Sequence, residues 1–276
     1  SGAALDPVGK EGLASMMAGL LDEGAGDLDS RVFQQRLADI SVTLRFDASL
    51  DTFEGGLKTL TENRGEAFSL LRIALNAPRF DAEPVERIRN QILAGLAAAE
   101  SDPAQIADKV WFRTAFPDHP YGRPVEGTRS GIAAVTANDL HGFIERRFGR
   151  DHLIIGVAGD ITAEELTPLL DSTFGSLPAR AALFDLPEAR VDGGGVIVVE
   201  EDIPQSTVRF GENGIKRNDP DYFVARLLNY TLGGGGFSSR LTEEVREKRG
   251  LACSVYSHLQ TMAWGGLVRG AVGTDN

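Results

Sequence analysis

The feature that most constrains this chain is that part of it occurs twice. "EGAGDLDSR" (23–31) is matched by "LGGGGFSSR" (232–240). Gly24, Gly26, Ser30 and Arg31 fall on Gly233, Gly235, Ser239 and Arg240 at a constant offset of 209. Further on, "GGLKTL" from Gly55 meets "GGLVRG" from Gly265 at an offset of 210. Before the glycines both copies show helical spacing, "GKEGLASMMAGLLDE" and "DPDYFVARLLNYTL". After Ser-Arg both read as a helix followed by an alternating strand, "VFQQRLADISVTLRFDAS" and "LTEEVREKRGLACSVYSHL". Matches in the same order at the same spacing are the signature of an internal duplication.

The duplication sets the expected fold class: α+β, with tandem duplicated domains, each a mostly antiparallel sheet with helices packed on one face. The second copy is preceded by "GGGVIVVEEDIPQSTVRFGENGI", two apolar, β-branched runs around a turn that read as a strand pair. The first copy has no such pair ahead of its helix, and the second stops soon after its Gly-Gly. The expectation is a fragment truncated at both ends. Residues 1–185 would be a first domain lacking its N-terminal strands, and 186–276 the N-terminal part of a second. Any secretion signal would lie upstream.

Between the copies, "GEAFSLLRIALNAP" and "DAEPVERIRNQILAGLAAAESDPAQIADKVWFRTAF" predict amphipathic helices broken at prolines. "TANDLHGFIERRF" predicts a helix from near Thr136, and "HLIIGVAGDI" a buried strand. "TAEELTPLLDSTFGSLP" predicts a helix capped by Thr162 with Glu165 three residues on. "ARAALFDLPEARVDGGG" reads as a linker.

Composition removes several function classes. A net charge of −12 argues against a nucleic-acid partner, because phosphate binding rests on Lys and Arg. A single cysteine excludes an internal disulfide and a cysteine-rich zinc site. No apolar run reaches the roughly 18 residues of a membrane span. The four histidines (119, 141, 152, 258) include no pair at i, i+3 or i, i+4, so no helix presents a two-histidine metal face. His119, in "DHPYGRP", reads as a turn residue. "GGGG" at 233–236 lacks the Lys-Ser/Thr of a phosphate loop and reads as a hinge or helix end. No G-x-S-x-G elbow marks a nucleophilic serine. "EEVREKRGLACSVYS", which follows Arg240, carries Arg246, Lys248 and Arg249 at a helix end stopped by Gly250. This is either a dipole-matched C-terminus or a cationic anchor beside a strand edge.

"DPDYFVARLLNYTLGGGGFSSRLTEEVREKRGLACSVYS" closely resembles the second-domain signature of the pitrilysin/insulinase family of zinc peptidases, to which mitochondrial processing peptidase belongs. "HPYGRPVEGT", "LIIGVAGDIT" and "DIPQSTVRFG" resemble further landmarks of that family. In its active members the helix corresponding to "GLASMMAG" carries H-x-x-E-H, two zinc ligands and the base that activates water. The resemblance places Ser15 and Gly19 at the ligand positions and Ala18 at the base. The third ligand would fall near Gly95 or Leu96, and no acid occurs between Arg87 and Ala99.

The resemblance therefore implies a catalytically inactive subunit with no cofactor of its own. It would contribute half of a chamber to a zinc-bearing H-x-x-E-H partner in a heterodimer acting on peptide substrates; the alternative is a structural scaffold that kept the fold. In the family the second half holds substrate backbone with an arginine and a tyrosine seven residues apart. Here these positions are Arg246 and Cys253, and a thiol donates more weakly than a phenol. Tyr256, three residues on, falls on the opposite strand face. The expected compartment is periplasmic, with cytoplasmic as the alternative.

A first expectation follows from the donor types. Elemental analysis of the dialysed chain should show no zinc approaching one equivalent, because zinc needs three or four N, O or S ligands. One tightly held zinc per chain would refute the alignment of Ser15, Ala18 and Gly19.

Overall fold

The computed structural model describes residues 2–182 and 184–275. The chain divides into two compact units, one of residues 1–96 and 124–184, the other of residues 97–123 and 185–276. Segment 97–123, given to the first domain on sequence grounds, lies with the second unit.

The first unit is built around α1 (Leu13–Ala18), whose Leu13, Ala14, Met16, Met17 and Ala18 are all buried. A helix this apolar is buried at the centre of the unit that holds it. Around it the core gathers Phe33 from α2 (Ser30–Asp39), Leu44 from β1 (Thr43–Ala48), and Leu70 from α3 (Arg64–Asn76). Ile88 of α4 (Ala82–Ala99), Ile132 of α6 (Arg129–Ala134) and Phe143 of α7 (Ala137–Arg147) complete it. β1 pairs antiparallel with β2 (Phe53–Lys58), from Thr43↔Lys58 to Ala48↔Phe53. The helix starts follow their caps. Asp29 accepts from the Val32 N–H at 2.8 Å, and Thr136 and Thr162 form reciprocal capping boxes with Asp139 and Glu165. The last opens α8 (Ala163–Phe174), which Arg64 of α3 ties in through Glu165 at 3.1 Å.

One buried ion pair organises the start of α1. The Asp6 carboxylate accepts from the N–H groups of Gly12 (3.0 Å) and Ala14 (3.2 Å), both otherwise orphaned at a helix N-terminus, and pairs with Arg147 at 3.1 Å. Arg147 also donates to the carbonyls of Gly2 and Leu5 and lies 4.3 Å from the Phe143 ring centroid. Burial pushes the Asp6 carboxyl up against the opposing pull of Arg147 and the two N–H donors, and pushes Arg147 down. Both charges are costly to bury, and each is tolerated because the other is there.

In the second unit, β3 (Gln205–Asn213), β4 (Ser254–Met262) and β5 (Gly265–Asp275) form an antiparallel sheet in the order β3-β5-β4. Register runs Gln205↔Asp275 to Asn213↔Leu267 and Ser254↔Gly273 to Met262↔Gly265. α5 (Pro103–Ala115), capped by Asp102 with Pro103 at its first turn, packs on β3. Its Trp111 comes so close that a Cβ on Gly211 would lie 2.7 Å from the indole, so only glycine fits there. Asp108 joins the layers by pairing with both Arg209 and Arg269. α9 (Tyr222–Asn229) leads into a π-helical turn, Tyr230–Gly234.

The two copies share their element order. α1, α2 and the β1–β2 hairpin correspond at the repeat offset to α9, the turn Thr242–Glu247 and the β4–β5 hairpin, which confirms the duplicated α+β architecture.

Two local expectations need correction. "HLIIGVAGDI" is not a buried strand: it carries no ladder, and Ile154 is 93% exposed. "GGGVIVVEE" is not the first arm of a strand pair; Val196 is 91% exposed and only β3 forms. Pattern can nominate a strand, but a strand also needs a neighbour to take its N–H and C=O groups, and no described strand runs beside either segment. The helix read after Ser239-Arg240 does form, as a π-helical turn, Thr242–Glu247, with the Lys248 N–H reaching back five residues to Glu243.

Asp6→Ala should destabilise the first unit by about 3–5 kcal/mol, because it strands the Arg147 guanidinium in the interior and uncaps α1. Denaturant unfolding monitored by circular dichroism measures this. A loss under ~1 kcal/mol would show that the pair is not what holds the start of α1.

Candidate functional site

Gly12, with φ of +100°, opens α1 in a left-handed conformation. Of the three residues that the resemblance sets at the ligand and base positions, only Ser15 has a polar side chain, and its Oγ donates to the Val125 carbonyl at 2.8 Å. Ala18 is a buried methyl. Gly19 faces α4 so closely that a Cβ would stand 3.0 Å from Ile88 Cγ2. Farther along α4, Ile92, Leu93 and Leu96 pack on the same apolar core. A hydroxyl committed to a carbonyl, a methyl and an isoleucine offer zinc no ligand set. No group of three or more His, Cys, Asp or Glu among the described residues is placed to hold a metal. These residues do not fit the family's zinc.

The second-unit candidates lie around the glycine-rich turn. Arg246 sits near the end of the turn Thr242–Glu247, and its carbonyl accepts the N–H of Gly250, whose φ of +61° stops the helix. Its side chain is 40% exposed, with Nε 3.6 Å from Glu247 and the guanidinium carbon 5.3 Å from the Phe237 ring centroid. Cys253 is exposed and donates its backbone N–H to Gly273 just before β4 begins. Along β4, Ser254, Tyr256 and His258 are exposed while Val255 and Ser257 are buried, and the Tyr256 ring stacks beside His258. The structure thus shows Arg246 in contact with Phe237 and Glu247, and Tyr256 with His258. Among its neighbours on this turn, Lys248 pairs with Glu243 and Glu244, and Arg249 with Glu244. These two cations are engaged in the dipole-matched helix end that the sequence suggested.

Sequence reasoning missed Phe237, which is 78% exposed. The available signal was a lone aromatic in an otherwise glycine- and serine-rich turn. The turn itself is tied down: Thr242 Oγ1 donates to the Gly236 carbonyl at 3.1 Å, and Ser239 Oγ to Thr242 Oγ1 at 3.0 Å. His119 fixes a turn, its Nδ1 accepting from the Tyr121 N–H and its Nε2 donating to the Pro187 carbonyl at 3.0 Å.

Known proteins resemble this chain in sequence and fold. The family described as "Peptidase M16 inactive domain" matches residues 134–268. An uncharacterized zinc protease of Mycobacterium leprae is 34% identical over 69% of this chain and 43% of its own length. A non-peptidase homolog of Helicobacter pylori is 29% identical over 92% of this chain and 59% of its own. The chain thus spans about half the length of the curated relatives it matches. Among solved structures, a peptidase M16 inactive domain from Pseudomonas fluorescens superposes with a TM-score of 0.94 at 28% identity, covering 99% of this chain and 67% of that one. A Helicobacter pylori protease superposes at 0.88 with 21% identity, a likeness of fold.

The packing also predicts the result of rebuilding the motif. Ser15→His, Ala18→Glu and Gly19→His together should yield no peptidase activity. Ile88 fills the space beside position 19, the third ligand is missing, and nothing supports the new imidazoles. The measurement is turnover of a quenched peptide with and without chelator. Chelator-sensitive turnover from the triple variant would show that the site is nearer to complete than its packing indicates.

Proposed function

We infer, from a chain that is a non-catalytic homologue in the M16, pitrilysin-type peptidase family, that it works as the inactive half of a heterodimeric metallopeptidase. Its partner would be a homologue with H-x-x-E-H, which would carry the zinc and the water-activating glutamate. This chain would close the opposite side of a peptide-binding chamber. One contrast carries the reading: the helix where catalytic members place their ligands is packed apolar, whereas Arg246 keeps its guanidinium partly open to solvent. A guanidinium offers fixed, paired donors to the carbonyls or carboxylates of an extended peptide. We assign the periplasm as its compartment.

A second reading is supported by Cys253. With a thiol at the position of the family's tyrosine, one of the two substrate contacts is weak, which favours a scaffold that retained the fold without handling peptide.

The reconstituted heterodimer separates the readings. If Arg246 anchors substrate, Arg246→Ala should leave assembly intact and lower peptide cleavage about tenfold or more, the loss of one charged hydrogen bond. Cys253→Tyr should leave folding intact and raise turnover. If Arg246 serves only its helix end, Arg246→Ala costs about 1 kcal/mol or less in stability. Turnover would then stay at the wild-type rate, a result that ends the anchor assignment. Melting temperature and turnover are read on the same sample.

A further inference from the structure

We propose that Phe237 is a positioning residue for Arg246, holding the guanidinium against its ring so that the donors face an incoming peptide. The proposal rests on the reading of Arg246 as a substrate anchor and adds what orients it.

Three observations carry it. The guanidinium carbon lies 5.3 Å from the Phe237 ring centroid, within the range at which a cation is attracted to an aromatic face. Phe237 is 78% exposed, so burial does not account for a phenyl ring at this position. The turn that presents it is held from both sides. Gly236 takes a φ of +63° that any residue with a side chain adopts only under strain, and its carbonyl accepts from Thr242 Oγ1. Ser238 Oγ donates to the Gly235 carbonyl at 3.1 Å. Ser239 and Thr242, which complete the network, are buried. A ring on so well tied a turn has a defined place.

Arg246 needs such a partner. Glu247, 3.6 Å from its Nε, is the adjacent residue of the same turn and itself well exposed, so it limits the orientation of the long side chain very little. A planar guanidinium over a ring keeps its edge N–H groups free for carbonyl or carboxylate oxygens while losing rotamer freedom before the ligand arrives. That ordering lowers the entropic cost of binding. The ligand class is an extended peptide that offers backbone carbonyls or a terminal carboxylate.

The test uses the full chain and a fluorescein-labelled hexaalanine, one sample with a free C-terminal carboxylate and one amidated. Phe237→Leu keeps an apolar side chain but removes the ring face, and should weaken binding about two- to fivefold, the size of an exposed cation–π contact. Phe237→Tyr and Phe237→Trp should restore wild-type affinity, with melting temperatures unchanged across the series. NMR supplies a readout that does not need the peptide. The Arg246 side-chain protons should show an aromatic ring-current shift in the wild type that disappears in Phe237→Leu. Wild-type affinity in Phe237→Leu, or an Arg246 spectrum indifferent to the ring, would overturn the positioning role. Arg246→Ala reports on the underlying reading separately. If that variant binds the probe as well as wild type, the anchor itself fails. If it loses binding while all three Phe237 variants match the wild type, only the positioning role fails.

Discussion

Asp6 and Arg147 form the contact on which the first unit depends. A carboxylate and a guanidinium are both withdrawn from water there, an arrangement that costs each of them and is balanced only by the donors and acceptors around them. Asp6 supplies an acceptor to the N-terminus of α1, and Arg147 supplies donors to the carbonyls of Gly2 and Leu5. The pair therefore links residues 2–6 and the nearby start of the central helix to the end of α7, 141 residues from Asp6. With α1 fixed at that end, the rest of the unit can close over it.

What closes over it is apolar packing. A helix that binds metal must keep polar ligands on one face and hold them in place with further hydrogen bonds. In α1 the only polar side chain is taken by a backbone carbonyl, and the face toward α4 is narrowed to a hydrogen at Gly19 so that Ile88 can approach. The helix makes packing contacts and presents no ligand set, and its neighbours are apolar to match.

The second unit has a different balance. α9 stands at the repeat position of α1, yet Phe223, Val224, Leu227 and Leu228 are exposed. Polar ties hold the glycine-rich turn that follows: Asn229 with Ser257, and Ser239 with Thr242. Flexible residue types are made rigid there by buried hydroxyls and an amide whose bonds are satisfied. The result is a defined turn that carries Phe237 to the surface beside Arg246, and the functional proposals draw on that placement.

By itself the sequence determined the elements that depend on near neighbours along the chain. Thr162 caps the helix it was read to cap, and Thr136 the helix read to start near it, because a cap bonds only two or three residues ahead. Gly250 ends its turn, and the duplication announced two copies of helix, glycines, helix and strand. That Ser15, Ala18 and Gly19 offer zinc no imidazole or carboxylate was equally legible, being a matter of which atoms those residues possess. Whatever depends on distant partners was decided only by the tertiary structure. "LIIGVA" and "VIVV" have the composition of strands but no described strand beside them, and a ladder needs two chains where a pattern needs one. Asp6 and Arg147, 141 residues apart, look like ordinary surface charges in sequence; burial makes each necessary to the other. Phe237 and Arg246 lie close in sequence but meet only because a wide turn and a left-handed glycine bring ring and guanidinium together.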